Sequence, residues 1–235
     1  MTSTYSLFAL DEGGSPGGPE PTGTPDAPGT GPGARVRALR LALATALAGM
    51  VVLLDELVIW AGQPSGDPTA ATVARWYDAH ATRVLLGDAL WLAVCGLLVA
   101  AVWTAAGRFS GVPRWTARTV GLAATTALAV SSLFAAQIAL GVGGDLTTWH
   151  LEGATYRAGT VLLALTMVPM ADGLRLTPQR WLVAPAALVS LALLVPATGG
   201  LGLAAAFVLL GLVLGVPAWR SLPAQPPPRR PGAHR

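Results

Sequence analysis

With 235 residues, 53% of them hydrophobic and only 11% charged, the chain is too apolar for an ordinary water-soluble domain, which carries about 25% charged residues. Its net charge of +3 rests on 15 basic residues, all arginine, and their placement in alternate loops marks membrane orientation rather than nucleic-acid binding. A single cysteine, Cys95, excludes an intramolecular disulfide and any Cys-x-x-Cys metal or redox motif, and reads as a small packing residue.

Residues 1–34 are expected to form a disordered tail. Within them, 11–34 hold fourteen Gly or Pro among twenty-four residues, too little apolar surface to offset the entropy of ordering. The first long apolar run begins only near Leu41, so it reads as an uncleaved signal anchor. Residues 35–220 are predicted to be an all-α polytopic transmembrane bundle. Its six spans cover about 37–61, 83–106, 118–142, 157–174, 181–196 and 200–219. The fifth is the shortest, and a re-entrant hairpin of the fifth and sixth runs is the alternative. Residues 221–235, containing PPPRRP, form a second disordered tail. Twelve arginines fall in one set of loops and tails and three in the other, which places both termini in the cytoplasm and the protein in the cytoplasmic membrane.

Small-residue faces, Ala44 with Ala48 on the first span and Gly211 with Gly215 on the last, allow helices to approach closely. They serve packing within the bundle or a homodimer. Pro169 removes a backbone donor inside the fourth span and is expected to bend it.

The least membrane-compatible residues fall at one depth. At 1.5 Å per residue, Asp55 lies roughly 9 Å and Asp88 roughly 7 Å below the outer surface. Glu56 adjoins Asp55, Gln137 is five residues from the outer end of the third span, and Thr160 is three from the start of the fourth. Arg83 and Arg157 stand at the rim. Ionisable side chains at membrane depth are costly and face protein or trapped water, so these seven residues define a candidate outward-facing polar pocket. Asp55 and Glu56 project about 100° apart on a helix, which keeps them from facing one neighbour directly. The competing reading pairs Asp55 or Asp88 with Arg83 or Arg157 as structural ion pairs; a third makes the acids a proton or ion relay.

The outer loops contribute His80, Asp145, His150 and Glu152. These are zinc-compatible residue types, but no H-x-x-x-H or H-E-x-x-H spacing exists, so neither a metal nor another cofactor is expected. The first loop ends in an amphipathic helix, ATVARWYDAHATR. A weak internal repeat aligns Trp76–Arg83 with Trp149–Arg157 and Glu56 with Gln137. Low-complexity Ala/Leu runs align easily, so chance is the favoured explanation of it.

A basic flank into the first span, the ATVARWYDAHATR helix and a second span ending in Trp103-x-x-Ala106-x-Arg108 follow one another. Over residues 35–220 this order resembles the uncharacterised six-helix integral membrane proteins of actinobacteria. The resemblance implies a fold and a membrane location, and carries no activity or functional residue with it.

There is no phosphate-binding glycine loop, no Gly-x-Ser-x-Gly elbow and no histidine inside a span. The leading expectation is a non-enzymatic membrane protein in the lipid bilayer that binds or helps to move a small solute, or serves as a subunit of a membrane partner. The alternatives are an interfacial enzyme acting on lipid-linked substrates, with one acid as general base, and a purely structural or assembly protein.

Overall fold

The computed structural model describes residues 32–142 and 146–220. The tail 221–235, nearly all of the tail 1–34, and Asp145 lie outside the described residues. Those described form six α-helices and no strand: α1 (Pro32–Leu54), α2 (Ala70–Ala106), α3 (Val112–Ala139), α4 (Leu146–Arg175), α5 (Val183–Leu194) and α6 (Gly199–Arg220). A single π-helical stretch, Asp55–Ile59, continues α1, and short 3-10 turns precede α5 and α6.

The helices start where local chemistry permits. Thr69 caps α2, its hydroxyl accepting from the Thr72 amide at 3.3 Å. Gly111, at φ 66°, turns the chain into α3, whose first turn carries Pro113. No proline separates Thr69 from Val112, so the predicted loop helix and the second span fuse into 37 continuous residues. In the same way α4 absorbs the outer loop residues from Leu146 onward and runs on through Pro169.

Four helices are long and apolar enough to cross a membrane: α1 with its π-turn, α2, α3 and α6. Of the six spans expected, α4 has the length without so apolar a stretch, and α5, with 12 residues, rises only about 18 Å. The outer surface matches lipid rather than water. Leu43, Leu47, Leu54 and Leu57 on the first helix are 63%, 56%, 56% and 64% exposed, an apolar flank of the kind that lipid covers.

Neighbours in sequence pack as neighbours in space from α2 to α6, and α6 returns to lie along α1. The α1–α2 contact is much the slighter, so the ring of helices is loose there. Glycines set the close approaches. A methyl group at Gly211 would stand 2.9 Å from the Ala42 carbonyl, one at Gly49 2.8 Å from the Ala204 carbonyl, and one at Gly159 2.6 Å from Leu128 Cγ. The Gly211–Gly215 face is thus used within the chain, against Ala42 and Ala46 of α1.

At the end of the bundle where α2 meets α3, Arg108 answers a defect in α6. Pro217 has no N–H, so the Val213 carbonyl four residues earlier lacks its helical donor. The Arg108 guanidinium donates to that carbonyl and, at 2.9 Å, to the Leu214 carbonyl.

Candidate functional site

The π-turn occurs at the two adjacent acids. Its wider closure appears as a bond from the Trp60 amide back five residues to the Asp55 carbonyl at 3.2 Å, and such turns are frequent at functional sites. The Trp60 indole N–H also donates to Asp55 Oδ2 at 3.0 Å. Asp55 turns towards α2, where a methyl at Gly87 would meet its Oδ1 at 3.0 Å. Glu56 turns towards α4 and α6: the Tyr156 hydroxyl donates to its Oε1 at 2.6 Å, and a methyl at Gly200 would lie 2.6 Å from its Cδ. The two acids have different neighbours, as their angular separation requires, yet both line the same space.

That space is a cavity of about 90 Å³, walled by Asp55, Glu56, Asp88 and Glu152 together with Trp60, Trp91, Ser131, Ser132 and Tyr156. Four carboxylates from three stretches of chain therefore converge on it. Their partners are neutral. Ser132 donates to Asp88 Oδ1 at 2.9 Å, and the Ser131 hydroxyl lies 3.1 Å from the Glu152 carbonyl and 3.4 Å from its Oε1. Asp88 is only 5% exposed, and its Oδ2 is buried with no hydrogen-bond partner. A buried oxygen of this kind is costly unless something else meets it.

Of the predicted pocket residues, Asp55, Glu56 and Asp88 line this cavity and the others do not. Gln137 is exposed. The inward face of α3 carries Ser131, Ser132, Ala135 and Ile138, and a residue two beyond Ala135 points roughly 200° away. Arg157 is exposed, and Thr160 is buried but donates to the Arg157 carbonyl at 2.9 Å. Arg83 reaches back to the Ala61 carbonyl at 3.4 Å and lies over the Trp76 ring at 5.9 Å. Among the described residues, then, neither arginine forms an ion pair with these acids.

The outer-loop residues divide as well. His80 Nδ1 donates to the Trp76 carbonyl at 2.7 Å, and its ring stacks on Trp76 at 4.7 Å. Trp76 in turn stacks on Trp60, so His80 and Arg83 brace an aromatic cap beside the cavity. His150 is exposed and lies in a T-shaped contact with Trp149. Asp145 lies outside the described residues. No group of three or more His, Cys, Asp or Glu among the described residues is placed to hold a metal ion, so the acids surround a space rather than a coordination point.

Glu152 is the member that the sequence assigned to the wrong place. Because α4 begins at Leu146, Glu152 and Tyr156 sit four residues apart on one helical face, and both reach the cavity. The E-x-x-x-Y spacing was the available signal. Ser131 and Ser132 carried none, since serines in a helix ordinarily bond their own backbone. The two outer segments of the weak repeat, Trp76–Arg83 and Trp149–Arg157, lie in the first turns of α2 and α4. It fails at the cavity, where Glu56 lines the wall and Gln137 faces out.

Compared with protein-family models, with curated proteins and with solved structures, the chain matches none.

Proposed function

We propose that this is a multi-pass protein of the cytoplasmic membrane, with six spans and both ends in the cytoplasm, whose outward cavity binds a small organic cation and holds it or helps it across. The six-span reading is supported by the arginine distribution and by the start of α6, where Gly200 packs against Glu56 although α5 is short.

One observation carries the ligand class: four carboxylates line a single cavity, their partners are neutral donors, and Asp88 Oδ2 is left unmet. Buried charges are retained when they are paired or when they serve a pathway or ligand. The aromatic walls suit an ammonium group, because a cation over the face of Trp or Tyr is attracted by the ring quadrupole. At about 90 Å³ the cavity has room for a compact head and not for a metabolite of ordinary size, which takes roughly 300–1,000 Å³.

Equilibrium dialysis of labelled tetramethylammonium and methylammonium against the protein in phosphatidylcholine nanodiscs tests the reading. Saturable binding is expected, weakening in acid as the carboxylates of the cavity take up protons and its negative charge is lost. Failure of both cations to saturate any site would overturn it.

A further inference from the structure

The cavity adjoins a second space. Between α1 and α2, where the ring of helices is loosest, lies an apolar groove of about 400 Å³ with Leu54, Val58, Leu86 and Leu90 in its walls. These four side chains are 56%, 53%, 68% and 49% exposed, so the groove opens sideways on the apolar flank of the bundle and not along its axis. Asp55 lines both the groove and the cavity.

Gly87 keeps the two in contact. A methyl group there would stand 3.0 Å from Asp55 Oδ1 and 2.9 Å from Ile59 Cγ2, so the glycine leaves no side chain between the groove and the carboxylate. Any larger residue would have to push one of these two atoms aside. The result is an apolar slot with a carboxylate at its back and three more acids behind it.

One class of molecule is complementary to that combination. A hydrocarbon chain fits the slot, and a cationic head fits the acids and the rings of Trp60 and Trp91. A phosphate-bearing lipid would bring negative charge against four carboxylates. We infer that the ligand is a single-chain alkylammonium amphiphile, taken laterally from the bilayer between α1 and α2, with its head in the carboxylate cavity and its chain in the groove. This rests on the cation reading above and adds to it the ligand's chain and its route.

The test compares tetramethylammonium with decyltrimethylammonium by equilibrium dialysis against protein in phosphatidylcholine nanodiscs, with protein-free nanodiscs subtracted. Burial of methylenes should make the decyl compound bind at least about tenfold more tightly. Leu86→Trp, which fills the groove from an exposed position, should bring the two ligands to within about threefold of one another while tetramethylammonium binding stays unchanged. Val58→Trp supplies the same blockade from α1 if the first variant fails to assemble. If tetramethylammonium binds and the chain adds nothing, or its gain survives both variants, the lateral amphiphile is overturned and the cation site stands. If tetramethylammonium itself does not saturate, both fall. A dimer that Leu86→Trp splits would assign the groove to a second copy of the chain, and would likewise overturn the inference.

Discussion

Arg108→Met is expected to lower stability by about 1–3 kcal/mol, the cost of leaving a buried carbonyl without a donor. The reason lies in another helix. Pro217 cannot supply the N–H that the Val213 carbonyl would receive in an uninterrupted helix, and Arg108 supplies it from the end of α2. A double-mutant cycle isolates this cause. In a Pro217→Ala background the helix provides its own donor, so Arg108→Met should cost distinctly less than it does alone. Thermal unfolding of the four proteins in one mild detergent reads the coupling directly. Additive losses would mean that Arg108 acts through its packing or its charge, and not through the defect at Pro217.

Asp88→Asn should act in the opposite way on stability and strongly on binding. The amide preserves the shape and can still accept from Ser132, but removes a negative charge that faces Asp55, Glu56 and Glu152 across a small cavity. Repulsion among the remaining acids falls, so the thermal midpoint should hold or rise. Binding of tetramethylammonium should weaken by at least about 30-fold, since losing one buried partner of a charge pair costs about 2–5 kcal/mol. The two readouts together separate a ligand site from a structural pin. A pin would melt early when neutralised, whereas an acid kept for a ligand would not. Early melting of Asp88→Asn would therefore remove the foundation of the cation reading, whatever the dialysis showed.

Much of the molecule was legible in residue order because the bilayer imposes simple rules. Long apolar runs must be helices whose backbone bonds are satisfied internally, so the helical class and the membrane setting followed from composition. Asp55, Glu56 and Asp88 stood out because charge at membrane depth is expensive wherever it occurs. Residue order also located Gly211 and Gly215 as a contact face. It could not choose between α1 and a second chain, and the fold placed that face against Ala42 and Ala46.

What depth alone could not provide was rotation. Gln137 and Thr160 were placed with the acids by residue count alone, but a helical step of about 100° turns Gln137 outward, while Thr160 bonds its own backbone. Glu152 reads as a loop residue in linear order, but α4 begins at Leu146, which puts it one turn from Tyr156 and inside the wall. The pairing of Arg108 with a carbonyl more than a hundred residues away, and the π-turn that aims two adjacent acids into one cavity, depend on which helices touch. Residue order settled that the chain is helical and apolar, and it singled out the acids within the apolar runs. Only tertiary packing decided which of those acids share a cavity, because a side chain's neighbours are set by the rotation and spacing of helices that the linear order leaves free.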